Sequence, residues 1–190
     1  MNPVVNKYSI KEINVIFYSF FFFSESKKES TLKEAETRLG KLALTHFRDI
    51  GQELMNQDCW QYLRAFTSGV QEYLEAVTFH AYLSNYNNEP ILFPEWNHLQ
   101  KSLRYETEEG GKFYTPITPN DYLLGLADLT GELLRKCITS VGLGRVQVCY
   151  DTCKMVNKTK LEIPAGQKFY IKFKNVLIFN KKHKGFNKYF

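Results

Sequence analysis

Three long segments of this chain carry apolar residues at intervals of three to five positions, and this spacing predicts amphipathic α-helices. The first helix is predicted to begin at Thr31, because Glu34 follows three residues later in the pattern of a capping box. Its apolar face consists of Ala35, Leu39, Leu42, Phe47, Ile50 and Leu54. The second helix is predicted to begin at Asp58, with Gln61 three residues on. Its apolar face consists of Cys59, Leu63, Phe66, Val70, Leu74, Val77 and Ala81.

The third predicted helix begins at Thr118-Pro119 and stops at Gly142. Proline suits the first helical turn, where its missing N–H would have no partner, and Asp121 lies three residues after the cap. The apolar face of this helix consists of Leu123, Leu126, Thr130, Leu133, Cys137 and Val141. A shorter periodic segment, Arg145 to Val156, predicts the start of a fourth helix.

The connection between the second and third helices, Asn85 to Ile117, shows no run with the alternation of a strand. Within it, Pro94-Glu95-Trp96 predicts the start of a short helix, and Glu108-Glu109-Gly110-Gly111 predicts a flexible link. The sequence therefore predicts an all-α fold, an antiparallel bundle of long helices that is incomplete at both ends.

Both ends of the chain differ in composition from its middle. Phe, Tyr, Asn, Lys and Ile supply 15 of the 22 residues from Asn2 to Phe23 and 19 of the 24 from Gln167 to Phe190, but 4 of the 24 from Pro119 to Gly142. A/T-rich codons encode these amino acids, so translated non-coding sequence is one interpretation, and a low-complexity arm with a basic tail is the other. We divide the chain into a Phe-rich N-terminal segment (1–29), a helical domain (30–156) and a Lys/Asn/Phe-rich tail (157–190) outside the helical fold.

The apolar run from Ile13 to Phe23 is too short for a membrane helix, which needs about 20 residues. Its length fits the core of a signal peptide, but Ser24-Glu25-Ser26 is a poor cleavage site. We therefore expect no membrane partner and keep secretion as a weaker alternative.

Net positive charge is confined to the C-terminal tail. From Asn157 to Phe190 there are nine Lys and one acid, whereas the other residues comprise 16 basic and 19 acidic side chains. An argument for nucleic-acid binding from net charge would thus concern the tail alone. Its Lys181, Lys182 and Lys184 fit either a contact with phosphates or a nuclear address, or they are Lys-rich sequence without a role.

Four cysteines show no disulfide framework, and we expect them to be reduced and partly buried. Cys149 and Cys153 are four apart and share a helix face. Two thiols without a neighbouring histidine do not make a zinc site.

Two pairs of acids mark the second and third helices. Glu72 and Glu75 are three apart, and Asp128 and Glu132 are four apart, so each pair shares one side of its helix. Two helices that each present a carboxylate pair would offer four oxygen ligands to one or two hard cations. Oxygen ligands alone favour Mg²⁺ or Mn²⁺ over zinc or iron.

A glycine precedes each acid pair by three residues, Gly69 before Glu72 and Gly125 before Asp128. Glycine inside a helix costs about 1 kcal/mol relative to alanine, so these positions predict a close approach of the two helix backbones. Asp128 is expected to be half-buried among Leu124, Ala127 and Leu129. The alternative is that the acids are solvated, with Glu132 paired to Lys136 four residues on.

Two stretches of the chain resemble the translin family, and specifically its Trax branch. They are AFTSGVQEYLEAVTF (Ala65 to Phe79) and ITPNDYLLGLADLTGELLRKCITSVG (Ile117 to Gly142), and Glu34 to Leu63 resembles the preceding family helix more loosely. The resemblance covers residues 30–156. Before Ser30 and after Val156 the chain departs from the family pattern, which continues there in further helices.

The resemblance implies an all-α fold and a hetero-oligomeric shell formed with translin, in the cytoplasm and nucleus. It further implies Mg²⁺-dependent endoribonuclease activity on single-stranded RNA or on passenger-strand fragments of small interfering RNA. The family's catalytic and metal-binding acids correspond to Glu72 and Glu75 in QEYLEA and to Asp128 and Glu132 in ADLTGEL. Translin itself lacks an acid at the position of Asp128, which favours the Trax branch. A non-catalytic helical scaffold that binds translin or nucleic acid is the alternative function.

Overall fold

The computed structural model describes residues 13–17, 27–85, 93–158, 160–162 and 168–170. Its contacts divide the chain into two compact units, Met1–Leu129 and Thr130–Phe190. The helices are α1 (13–17), α2 (Lys28–Leu42), α3 (Arg48–Glu53), α4 (Cys59–Ser84), α5 (Trp96–Ser102), α6 (Pro119–Gly142) and α7 (Val146–Lys158). The strands are β1 (Arg104–Glu106), β2 (Lys112–Tyr114), β3 (Lys160–Glu162) and β4 (Lys168–Tyr170). The predicted all-α class is confirmed, and the strands form two hairpins of two strands each.

Three sequence predictions about the ends reach beyond these residues. The apolar run after Phe17, the lysines Lys181, Lys182 and Lys184, and most of the tail lie outside the described part of the chain. In α1, Ile13, Ile16 and Phe17 are buried. The Phe17 ring stacks on Phe79 of α4 with 6.0 Å between ring centroids, so this part of the Phe-rich segment contributes to the core. Across the described residues, no helix is both long and apolar enough to span a membrane.

The first predicted helix starts earlier than expected and contains a wide turn. Helix α2 begins at Lys28 with no side-chain cap, so the capping box predicted at Thr31 is wrong. Residues Ala43–Phe47 form a π-helical turn, which carries more residues per turn than an α-helix. This wide turn explains the step of five residues from Leu42 to Phe47, and it keeps both side chains in the core. The whole predicted apolar face of this segment is buried.

Two side chains from the connection donate hydrogen bonds to carbonyl oxygens of the wide turn. The hydroxyl of Tyr105 donates to the oxygen of Ala43 at 2.7 Å, and the hydroxyl of Thr115 donates to the oxygen of Phe47. Burial raises the pKa of the Tyr105 phenol, so this group remains a protonated donor. The connection therefore adds two side-chain donors to carbonyl oxygens of this turn.

Helix α4 begins as predicted and packs antiparallel to α2. Its cap is Asp58, whose carboxylate accepts from the backbone N–H of Trp60 at 3.0 Å. Near one end of the pair, Nε2 of His80 donates to the carbonyl of Leu32 at 3.0 Å. Near the other end, the ring of Tyr73 lies 4.7 Å from that of Phe47. The contacts run in opposite directions along the two segments, which confirms the antiparallel packing here.

The connection from α4 to α6 contains the predicted short helix and an unpredicted hairpin. Helix α5 begins after Glu95, in agreement with the sequence. Strands β1 and β2 pair antiparallel, with Tyr105 opposite Phe113. The predicted flexible link is the turn of this hairpin, where Gly110 has a positive φ of 82° that favours glycine. Strands of three residues are too short to show alternation, so the sequence did not reveal them.

Helix α6 begins at the predicted cap, Thr118, and the Asp121 side chain both completes this cap and connects α6 to α4. The hydroxyl of Thr118 accepts from the N–H of Asp121 at 3.0 Å, and Oδ2 of Asp121 accepts from that hydroxyl at 2.7 Å. Oδ1 of Asp121 accepts from the hydroxyl of Thr67 and, at 2.8 Å, from Nε2 of Gln71. Asp121 is 2% exposed, so donors from two helices satisfy a buried carboxylate.

In the second unit, a short connection joins the end of α6 to α7. Helix α6 stops at Gly142 as predicted, and Gly144 in the connection has a φ of 74°. The N–H of Arg145 donates to the carbonyl of Ser140 at 2.8 Å and closes the helix end. Helix α7 follows at Val146, one residue after the predicted start of the fourth helix.

We expect Asp121→Ala to lower the free energy of unfolding by about 3 kcal/mol, because it removes charged hydrogen bonds and leaves buried donors without an acceptor. Urea unfolding followed by circular dichroism measures this change. The adjacent, exposed Asn120→Ala serves as the control and should change stability by less than about 0.5 kcal/mol. Equal stability of the two variants would show that the tie between α4 and α6 is dispensable.

Candidate metal site

Glu72 and Glu75 lie in the middle of α4, one helical turn apart. Glu75 is 7% exposed and is flanked by the buried Leu74 and Ala76, whereas Glu72 is partly exposed. The hydroxyl of Thr78 donates to the backbone carbonyls of Leu74 and Glu75 at 2.7 and 3.0 Å. Burial thus extends around α4 beyond the predicted apolar face and includes one of the two predicted ligands.

Gly125 lets the backbone of α6 approach this part of α4, as the sequence predicted. A Cβ atom on Gly125 would lie 2.9 Å from Cβ of Leu74, 3.0 Å from the carbonyl oxygen of Gln71 and 3.3 Å from the nitrogen of Glu75. Distances below 3.0 Å are not found between real Cβ atoms and their neighbours. A side chain at this position would therefore push the helices apart. Gly69, the matching glycine of α4, is buried.

The contacts also give the relative direction of the two helices. Asp121 meets Thr67 and Gln71, and Gly125, four residues further on, meets Gln71 and Leu74. Both sets advance in the same direction, so α6 runs parallel to α4 here, and the predicted antiparallel packing does not hold for this pair of helices. The connection with α5 and the first hairpin returns the chain to the starting end.

Asp128 is exposed rather than half-buried, so this prediction was wrong. Its apolar neighbours do not enclose it, because Leu124 is 50% exposed and Ala127 is exposed as well. The side of α6 that is fully buried carries Tyr122, Leu126 and Leu129 instead. The sequence contained enough leucines for two faces and did not show which of them would be covered.

Helix geometry places Glu75 and Asp128 on the same side of the α4–α6 contact. At about 100° per residue, Glu75 is rotated about 70° and Glu72 about 130° around α4 from the direction of α6. Asp128 is rotated about 40° around α6 from the direction of α4, in the opposite sense. For parallel helices, rotations of opposite sense lie on the same side of the contact. Glu75 and Asp128 therefore flank one edge of it, and Glu72 lies further round.

Glu132 belongs to the second unit and forms an ion pair within its own helix. Its Oε2 lies 3.0 Å from Nη2 of Arg135, so a basic partner of Glu132 lies three residues on along the helix. The carboxylate is half-buried, and burial raises its pKa while the Arg135 charge opposes the increase.

The donor chemistry of the carboxylates fits a hydrated magnesium ion. Within the described ranges, one group of three Cys, His, Asp or Glu side chains has its ligand atoms within 4.8 Å of one another, and it consists of three cysteines. The four predicted acids do not form such a group. Mg²⁺ keeps several of its waters in proteins and is commonly held by one or two carboxylates. Glu75 and Asp128 lie on one edge of the helix contact and supply two carboxylates. The assignment of all four acids as ligands stays a prediction.

The sequence analysis missed a third cysteine at the pair on α7. Cys137 of α6 lies with Cys149 and Cys153, and all three are buried. The neighbouring Cys137 thiol lowers the pKa of Cys153, although burial opposes this. Cys137 lies seven residues before Gly144, and the two others lie five and nine after it. Residues at similar distances on either side of the turn of a helical hairpin are neighbours. The spacing of the cysteines around Gly144 therefore indicated that Cys137 would lie between Cys149 and Cys153.

Residues 7–177 match the Translin family. The match covers most of the chain, which therefore belongs to the translin family. It begins before and ends after residues 30–156, where the recognisable motifs lie, and the proposed domain limits stay a prediction.

Among its relatives, the chain is similar to translin-associated protein X from Pongo abelii, with 32% identity over 166 residues. Identity to translin-associated protein X from Rattus norvegicus and Mus musculus is 31% over 166 residues. Each alignment covers 79% of this chain and 55% of the relative, so the chain spans about half the length of these relatives. The predicted resemblance to the Trax branch is confirmed.

We expect Gly125→Ala to lower the free energy of unfolding by about 1–3 kcal/mol, because the added methyl group overpacks the α4–α6 contact. Gly131→Ala on the same helix is the matched control, since nothing lies within 4 Å of the position of its Cβ. It should raise stability by up to about 1 kcal/mol through helix propensity. Urea unfolding measures both, and a stabilising Gly125→Ala would contradict the close approach.

We expect Glu132→Gln to raise stability at neutral pH, with a gain that disappears under acidic conditions. The raised pKa in the folded chain means that folding favours the protonated carboxyl, so the ionised group reduces stability above its ordinary pKa. Below that pKa the group is protonated in both states, and the penalty vanishes. Urea unfolding at pH 7 and pH 3.5 measures the difference. Arg135→Gln, which removes the opposing charge, should lower stability at neutral pH; a gain there would contradict this electrostatic balance.

Proposed function

We propose that the chain is a Trax-like catalytic subunit that cleaves single-stranded RNA, including passenger-strand fragments, together with a translin-type partner and Mg²⁺ or Mn²⁺. Glu72, Glu75 and Asp128 are the proposed ligands, with Glu132 as the fourth by resemblance. The name of the relatives states that they associate with translin, which supports the choice of partner. Cytoplasm and nucleus are the proposed compartments.

The observation that carries this proposal is the close approach of α4 and α6 at Gly125. It brings the buried carboxylate of Glu75 and the exposed carboxylate of Asp128 to one edge of the same contact. Attraction between a carboxylate and a cation is stronger in partly buried surroundings than in water. Two negative charges at this edge would therefore favour a divalent ion there.

The residues have different parts in the proposed reaction. A bound divalent ion would lower the pKa of a coordinated water and offset negative charge on the phosphate oxygens. Glu75 would hold its ligand oxygen in a fixed position, because its side chain is packed in the core. Asp128 is exposed, so it is accessible to solvent, to an incoming ion and to an RNA phosphate. Glu132 would have to exchange its ion pair with Arg135 to take part.

One observation favours the alternative of a non-catalytic scaffold. Among the described residues, the predicted acids do not gather three ligand oxygens within 4.8 Å. A scaffold would bind translin or nucleic acid through the same helices without cutting RNA. The two functions differ in what the carboxylates contribute, and a cleavage assay separates them.

We expect Glu75→Gln and Asp128→Asn each to slow RNA cleavage about tenfold or more, because even supporting residues of metal sites contribute 10- to 100-fold. The measurement uses the full chain co-purified with a translin protein, a labelled single-stranded RNA and Mg²⁺. Both substitutions preserve side-chain size. The control is Glu36→Gln, an exposed acid of α2 away from the contact, which should cleave at the parent rate.

Size-exclusion chromatography of each complex separates loss of assembly from loss of chemistry. Assembled variants that cleave slowly support the catalytic assignment. A parent complex that binds RNA and leaves it intact in both Mg²⁺ and Mn²⁺ would instead establish the scaffold function. Unchanged cleavage by both variants would show that these carboxylates are not the ligands.

A further inference from the structure

The α6–α7 hairpin brings three of the four cysteines of the chain together. The sulfur atoms of Cys137, Cys149 and Cys153 all lie within 4.8 Å of one another. Their residues are 4%, 6% and 5% exposed, so each sulfur is shielded from solvent. Cys59, the fourth cysteine, is partly exposed and does not belong to this group.

We propose that Cys137, Cys149 and Cys153 form a binding site for a thiophilic metal ion, either Zn²⁺ or Cu⁺. Thiolate ligands select these ions over Mg²⁺, Mn²⁺ and Ca²⁺, which prefer oxygen. This site shares no residue with the carboxylates, and its occupation would not depend on the proposed ribonuclease activity.

The positions of the sulfur atoms suit such an ion with small adjustments. Zinc–sulfur bonds of about 2.3 Å place the sulfur atoms of a tetrahedral site about 3.8 Å apart, and those of a trigonal site about 4.0 Å apart. Because the three sulfurs are already within 4.8 Å of one another, each pair needs to close by about 1 Å at most. Small changes of the side-chain torsion angles on two fixed helices cover this distance.

Packing alone accounts poorly for the use of cysteine here. Two partly buried side chains of α6, Leu134 and Val141, pack against the three cysteines. From Val146 to Lys154, helix α7 buries Cys149, Thr152 and Cys153, while Val146 and Tyr150 are more than half exposed. Cysteine is a small apolar residue, so this interface removes little apolar surface from water. A metal bound by both helices would hold α7 to α6 more strongly, because its binding free energy adds to folding.

The coordination number separates the two candidate ions. Within the described residues, no His, Asp or Glu atom joins the group. Zinc would therefore keep an open fourth position for water or an outside ligand, as it does in sites with three protein ligands. Cu⁺ is satisfied by three thiolates. The two ions are therefore tested in separate binding experiments.

The test uses the untagged full chain, purified without oxygen in a phosphine reductant so that the thiols stay reduced. Zn²⁺ and Cu⁺ are added in separate experiments, unbound metal is removed, and bound metal per chain is measured by mass spectrometry. We expect one equivalent of at least one ion. Co²⁺ in place of Zn²⁺ should give the absorption bands of thiolate-to-metal charge transfer if the sulfurs bind it.

Cys137→Ser, Cys149→Ser and Cys153→Ser should each reduce the bound metal to less than a fifth of the parent amount, whereas Cys59→Ser should retain all of it. The metal should also raise the melting temperature of the parent and of Cys59→Ser, but not of the other three. Less than 0.1 equivalent of both ions in the folded parent would overturn the proposal, as would full binding by Cys137→Ser. If the serine variants do not fold, the parent stoichiometry and the cobalt spectrum decide the question.

Discussion

A buried carboxylate shared by two helices is the constraint on which the first unit depends. Asp121 accepts hydrogen bonds from the start of its own helix, α6, and from Thr67 and Gln71 of α4. One helical turn later, Gly125 allows the same two backbones to touch. The Asp121 carboxylate fixes the rotation of α6 about its own axis, and Gly125 fixes the distance between α6 and α4. The positions of Glu75 and Asp128 relative to each other depend on these two contacts.

Much of this arrangement could be predicted from local sequence. Asp58 and Thr118 are caps whose side chains satisfy free backbone N–H groups, so their positions are readable from the chain alone. The close approach at Gly125 was predictable as well, because glycine inside a helix is unfavourable without a packing reason. Membership of the translin family was recognisable from two motifs. These features depend on residues close to one another along the chain.

The errors concern choices that depend on distant residues. Spacing showed that Asp128 shares a face with its neighbours, but the cover over that face depends on other segments, and it proved exposed. The predicted start of α2 was wrong because the helix continues one turn before Thr31 through Lys28, Glu29 and Ser30, although Glu29 and Ser30 are exposed. The cluster of three cysteines was not predicted, because Cys137 and Cys149 lie on different helices and become neighbours only when the chain turns between them. Periodicity shows on which face of a helix a side chain lies, but it does not show which other segment packs against that face.

The two proposed metal sites use opposite ligand chemistry. Oxygen ligands between α4 and α6 suit an ion that keeps its waters and can meet a phosphate. Sulfur ligands inside the α6–α7 hairpin suit an ion that stays in place and holds two helices together. A single helix, α6, thus contributes to both kinds of site, and selectivity between the ions follows from hard and soft donors.

The wide turn at Ala43–Phe47 makes the packing of the first helical segment depend on residues far along the chain. A widened turn is less favourable than a regular one, and here Tyr105 and Thr115 satisfy two of its carbonyl oxygens. If the segment wound as an ordinary α-helix throughout, Phe47 and Ile50 would point in a different direction. The direction of these two buried side chains is therefore tied to hydroxyl groups some sixty positions further along the chain.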